Sequence, residues 1–147
     1  MARLRVLYVN HVSFLSGAEQ SLLALLAQLT DTVEPTLACP PGELAARARE
    51  LGVDVVPLPL ASFRRTVNPL TLSSYALTWM AGTNQFRKIV QAVRPRIIHA
   101  NSAMGQVYAG SVARKAGIPC IWHARDLRPL QFPANTICRG ANRIVAV

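Results

Sequence analysis

The chain has 147 residues, 51% of them hydrophobic, and a formal net charge of +9. That length suits one domain with its own core, and the apolar share excludes a disordered chain. No stretch is long and apolar enough to span a bilayer, and the short N-terminal apolar run, interrupted by Tyr8 and Asn10, does not read as a signal peptide.

The charge is unevenly spread. Up to Leu60 there are four basic and six acidic residues; from Ala61 onward there are twelve basic residues and one acid, Asp126. Such asymmetry suggests an anionic partner, although a basic solvated surface gives the same excess. The cations come as scattered pairs, such as Arg64-Arg65 and Arg87-Lys88, with no aromatic residues interleaved as stacking platforms. Specific nucleic-acid binding is therefore not expected. Cys39, Cys120 and Cys138 are odd in number and lack metal-like or redox-like spacing. They read as reduced thiols of a cytoplasmic protein, with no metal site.

Leu4 to Val9 reads as a buried strand. Leu22, Leu23, Leu25, Leu26 and Leu29 then fall on one helical stripe. Between them, Ser16-Gly17 opens the helix. A strand, a glycine turn and a helix start make an anion site, because the first helical N–H groups have no intrahelical partner. Ser16, Gly17, Ala18 and Glu19 are the candidates there. The plainer reading is that Ser16 and Glu19 form a capping box, which helices use without any ligand. The three-glycine dinucleotide fingerprint is missing, so a nicotinamide cofactor is not expected.

Glu34 to Cys39 reads as strand two, Pro40-Pro41-Gly42 as a turn, and Glu43 to Leu51 as a short helix ended by Gly52. Val53 to Leu58 is strand three, and Pro59 to Asn68 a loop. A long helix is predicted over Pro69 to Val93, with Leu72, Tyr75, Ala76, Trp79, Phe86, Val90 and Val93 on its core face. Gly82-Thr83-Asn84 is a candidate break or kink within it. Arg96 to Ala100 is strand four, and Ser102 caps a helix running to Lys115 that Gly117 stops. Ile118 to His123 is strand five, Ala124 to Pro133 is irregular, and Ala134 to Gly140 forms a short helix. Asn142 to Val147 is strand six. Closing on an apolar parallel strand, without the helix that would cover it, is expected of a segment of a longer protein.

Alternating strands and helices predict an α/β Rossmann-like domain over residues 1–147. Its parallel sheet has about six strands in the order 3-2-1-4-5-6, with helices on both faces. Ligands of such sheets sit beyond the carboxyl ends of the strands at the switch point. Those ends carry Asn10 and His11, then Asn101 and Ser102, then His123 to Asp126.

Three segments together resemble the N-terminal half of a GT-B glycosyltransferase, of the retaining group called glycosyltransferase family 4. The first is Arg5-Val6-Leu7-Tyr8-Val9 followed by Ser16-Gly17-Ala18-Glu19. The second is Pro95 to Ser102 followed by Gly117-Ile118-Pro119-Cys120-Ile121-Trp122-His123-Ala124-Arg125-Asp126. The third is Ala141 to Val147. Family members show two adjacent glycines in the first loop; Ser16 stands in place of the first here.

The resemblance implies an acceptor-side domain whose partner, a C-terminal nucleotide-sugar domain, is absent from this chain. It implies transfer of a sugar from a nucleotide-diphosphate donor with retention, no cofactor, and no activity of this domain alone. It casts His123 as a residue that positions the donor sugar. Ser16, Gly17, Ala18, Glu19, Asn101, Ser102, Arg125 and Asp126 then become candidate substrate and phosphate contacts. The acceptor would be anionic or lipid-linked, with peripheral contact at the inner face of a membrane. The alternative is a non-catalytic Rossmann-like module that binds an anionic ligand or a protein partner.

Overall fold

The N-terminal apolar run forms β1 (Leu4–Val9), and the helix opened by Ser16-Gly17 is α1 (Gly17–Leu29). There follow β2 (Val33–Cys39), α2 (Glu43–Glu50), β3 (Asp54–Pro57), α3 (Pro69–Val93), β4 (Ile97–Ala100), α4 (Ala103–Ala116), β5 (Cys120–Ala124), α5 (Ala134–Cys138) and β6 (Arg143–Ala146). These elements belong to a computed structural model that describes residues 3–29, 31–62, 67–125 and 134–146. All pairings are parallel, in the order β3-β2-β1-β4-β5-β6, as the strand-helix rhythm predicts.

Both faces of the central strands are covered, which is why they read as continuous apolar runs. On one face Val6 and Tyr8 of β1 pack with Leu22 and Leu26 of α1 and Leu44 of α2. On the other, Leu7 and Val9 pack with Phe86 of α3, with Tyr108 and Val112 of α4, and with Ile137 of α5. Given this strand order, right-handed crossovers set the face on which each helix lies.

The helix ends obey their sequence signals. The Asn68 side chain accepts from the Leu70 and Thr71 N–H groups at the start of α3, with Pro69 in the first turn. Ser102 Oγ accepts from the Gly105 N–H at 3.0 Å, the predicted cap of α4. Gly117 ends α4 in the left-handed region, at φ 67°.

Two expectations for α3 need correction. The helix runs unbroken through Gly82-Thr83-Asn84. Gly82 serves close approach instead: a Cβ there would lie 2.7 Å from the Tyr108 ring. Second, the apolar face is core only in its lower half. Phe86 and Val90 are buried and Trp79 packs against the core, but Leu72 is 49% exposed. Length explains this. The 25 residues of α3 span about 37 Å, whereas the 14 of α4 beside it span about 21 Å. The first turns of α3 therefore overhang their neighbours.

Gly82→Ala is expected to destabilise the chain by about 1–2 kcal/mol in urea unfolding. The Tyr108 ring is fully buried and its hydroxyl donates to the Ala61 carbonyl, so it has little room to retreat. Intrinsic propensity would instead favour alanine by up to about 1 kcal/mol. A more stable variant would mean that the ring moves freely.

Candidate functional site at the carboxyl end of the sheet

Val9 of β1 lies opposite Ala100 of β4, so the residues just beyond them, Asn10 and Asn101, face each other at the switch point. The ladder reaches one residue further here. Asn10 N–H donates to the Ala38 carbonyl at 3.0 Å and Asn101 N–H to the Val9 carbonyl at 2.9 Å. Both asparagines are fully buried.

Their side chains are joined. Asn101 Nδ2 donates to Asn10 Oδ1 at 3.0 Å and to the Ala18 carbonyl at 3.4 Å. Asn10 Nδ2 donates to the Val12 carbonyl at 3.0 Å and to Glu19 Oε1 at 3.2 Å. The other carboxylate oxygen of Glu19 accepts from the Ser16 N–H at 3.1 Å and from the Ser16 hydroxyl. Half of the predicted capping box is thus present, the half in which glutamate reaches back. Glu19 is only 3% exposed. It holds the loop in shape rather than presenting its charge outward.

At the other end Arg125 Nε donates to Asn101 Oδ1 at 3.0 Å, and an Arg125 terminal nitrogen meets His123 Nδ1 at 3.1 Å. Burial lowers the pKa of Arg125, and the Glu19 charge opposes that shift. His123 is half-buried and stacks on His99, ring centroids 5.7 Å apart; His99 in turn lies 5.1 Å from the Tyr8 ring. Burial holds His99 down at about 4, aided by the His123 and Arg125 charges. Burial lowers His123 too, with Arg125 adding to it. His11 Nδ1 lies 2.8 Å from Ser102 Oγ, which ties the first loop to the start of α4.

The structure thus brings Ser16, Ala18, Glu19, Asn101, Arg125 and His123 into one connected set, with Ser102 beside it. Gly17 opens α1, and nothing lies within 4 Å of where its Cβ would be. Asp126 lies outside the described residues, as do Arg64 and Arg65. Asn10, noted in the sequence only as a strand end, is the centre of the set. The signal was available: an apolar strand followed at once by Asn occurs at both strands flanking the switch. Among the described residues, no group of three or more His, Cys, Asp or Glu could hold a metal ion.

A family model for a glycosyl transferase 4-like domain matches residues 16–145. The chain belongs to that family. Its fold is that of the N-terminal domain in GT-B glycosyltransferases. Aligned with MurG of Acinetobacter baumannii, the glycosyltransferase domain gives a TM-score of 0.72 at 13% identity, over 99% of this chain and 41% of that one. With Anabaena Alr3699/HepE, solved in complex with UDP-glucose, the TM-score is 0.66 at 15% identity, over 95% of this chain and 34% of that one. A Listeria monocytogenes protein assigned as a UDP-N-acetylglucosamine 2-epimerase gives 0.62 at 14% identity, over 99% and 39%. The domain thus spans 34–41% of these structures. A search of curated proteins found no match. At these identities the structures establish fold alone, and function rests with the site.

The depressed His99 gives the domain an acid-sensitive stability. At neutral pH the ring is mostly uncharged in both folded and unfolded chains. As pH falls below 6.5 the unfolded chain binds the proton first, so stability is lost progressively down to about 4. The loss from this one group is about 3 kcal/mol. In His99→Phe, which keeps a ring in the stack, that share should disappear. Urea unfolding of both proteins across this range measures it, and a wild-type-minus-variant difference independent of pH would refute it.

Proposed function

We propose that this domain is the acceptor-side half of a glycosyltransferase that moves a sugar from a nucleotide-diphosphate donor to an acceptor with retention. Family membership supports the reaction class. The carrying observation is the connected polar set at the carboxyl end of the sheet, beside the open start of α1.

The chemistry follows from these parts. Negative charge develops on the leaving diphosphate. The first N–H groups of α1 and the positive end of its dipole can stabilise that charge, a preorganised electrostatic role. The Ser16–Glu19 bonds hold the loop so that no reorganisation is needed. Arg125 has five N–H donors, of which Asn101 and His123 take two; the rest suit phosphate oxygens. His123 positions the donor sugar by hydrogen bonding. No step calls for a metal or a cofactor. Because the chain spans only part of the structures it resembles, we propose that turnover needs a second, nucleotide-sugar domain. The alternative of a non-catalytic module for an anionic ligand would use the same Arg125 and helix start.

We further propose peripheral contact with an anionic surface through α3. Its overhanging turns leave Leu70 79% and Leu77 68% exposed, and Met80 is exposed as well. The helix contains no acidic residue, and exposed Arg87 and Lys88 follow the apolar stripe. An open groove of about 670 Å³ between α3 and α4 continues it, lined by Trp79 and Met80 and by the cations Arg87 and Lys115. Each well-placed cation contributes about 1 kcal/mol at an anionic bilayer. Salt screens this within about 10 Å. Among the described residues, no helix is long and apolar enough to cross a membrane.

Three measurements test these readings. UDP-glucose is the first donor to assay: the 147-residue chain alone is expected to turn over far below about 1 per second, and an enzyme-like rate would remove the two-domain reading. In a protein that carries both domains, Gly17→Val should cut the rate at least about tenfold with folding intact. The space around Gly17 accepts a side chain, but that side chain stands where the anion would approach. Wild-type kinetics would reduce the loop to a helix cap. Finally, the chain should co-sediment with anionic but not neutral liposomes at low salt, and Leu70→Asp with Leu77→Asp should abolish this. Equal, negligible binding to both would leave the charge as solubility alone.

A further inference from the structure

The side chains at the switch point form a chain with one direction. Arginine only donates, and a carboxylate only accepts. Because Arg125 Nε donates to the side chain of Asn101, Asn101 must turn its oxygen toward Arg125. Its nitrogen then donates to Asn10, whose oxygen accepts. That leaves the Asn10 nitrogen for Glu19, the acceptor-only end. Both amide orientations are thereby fixed by the two charged ends, and every link is consistent with the next.

The second arm of Arg125 carries this order to His123. A guanidinium cannot accept, so the 3.1 Å contact with His123 Nδ1 requires a bare Nδ1. A neutral imidazole with a bare Nδ1 has its proton on Nε2. Nε2 of His123 has no partner among the described residues, and the ring is only half-buried. The nitrogen left for a ligand is therefore a donor.

We propose that Arg125 is a positioning residue that fixes His123 in the Nε2–H tautomer, and that the buried Glu19–Asn10–Asn101 chain holds Arg125 in place to do so. His123 then offers an N–H to an acceptor oxygen, a sugar hydroxyl or a phosphate oxygen. It does not offer a lone pair to a proton donor, so it is no general base. The consequence for substrate rests on the sugar-transfer reading; the tautomer does not.

The test needs no substrate. The chain has only three histidines, His11, His99 and His123, so long-range ¹H–¹⁵N spectra of the labelled 147-residue chain resolve each ring. Above neutral pH, His123 is expected to show a bare Nδ1 and a protonated Nε2. The preference should be about tenfold or more, the ratio that one charge-assisted hydrogen bond supplies. In Arg125→Leu the ratio should fall toward that of free histidine, and His123 should titrate at a higher pH. Asn101→Leu, which keeps the branched side chain but cuts the link to Arg125, should do the same. A native His123 protonated on Nδ1, or evenly averaged, overturns the proposal. An unchanged His123 in Arg125→Leu removes the role of Arg125, and an unchanged one in Asn101→Leu removes the chain behind it. Should Asn101→Leu not fold, the native spectrum and Arg125→Leu still decide. Absence of sugar transfer would leave these spectra unaffected, so the two readings fail separately.

Discussion

The hydrogen bond between the Asn101 and Asn10 side chains, 3.0 Å long and fully buried, is the constraint on which the rest of the site depends. A parallel sheet opens a crevice where its two halves diverge, because the helices after β1 and β4 leave on opposite faces. Something must satisfy the polar groups exposed there, since a buried unpaired amide costs about 1–3 kcal/mol. Two asparagines one step beyond facing strand ends do this for each other. Their remaining donors reach the Ala18 and Val12 carbonyls, so the first loop is tied to the sheet by the same bond.

That bond also governs charge. Glu19 and Arg125 are not in direct contact, yet they terminate one hydrogen-bonded chain. A carboxylate that is almost fully buried is tolerated because it accepts from Ser16 twice and from Asn10 once. The guanidinium gains the matching field from Glu19, against the cost of its partial burial. In such networks the members are not additive: removing one leaves its neighbours unpaired in a low dielectric. The neutral His99 behind His123 fits this picture. A positive ring there would be repelled by the Arg125 guanidinium.

Much of this was legible in the sequence because it depends on local signals. The parallel sheet follows from the alternation of apolar runs with capped helices, and its order is the common one for six strands in that rhythm. Ser102, Gly117 and Pro69 each mark a helix end by a mechanism that needs no tertiary context. What was not legible depends on relative length and on pairing across long sequence separation. The face of α3 reads as core along its whole length, because periodicity says which side is apolar and not how far the neighbouring helix extends. Gly82 looks like a helix breaker until the Tyr108 ring is placed against it. The Asn10–Asn101 pair joins residues 91 apart. Each asparagine alone reads as ordinary strand-end punctuation; only the register of β1 on β4 makes them partners.

Structures as different as MurG and a protein assigned as an epimerase share this fold. A shared fold does not decide what happens at the site it carries. An open helix N-terminus is therefore the least discriminating part of this domain. Discrimination has to come from groups whose protonation state suits one chemistry and not another. A residue that moves protons needs a lone pair free at the reacting atom, whereas one that only orients a sugar needs a fixed donor. Arg125 occupies the lone pair of His123 on one nitrogen and leaves a proton on the other. On the proposed reading, the chain from Glu19 to His123, rather than the glycine turn, is the part of the domain that would favour transfer by positioning over chemistry that draws on a histidine base.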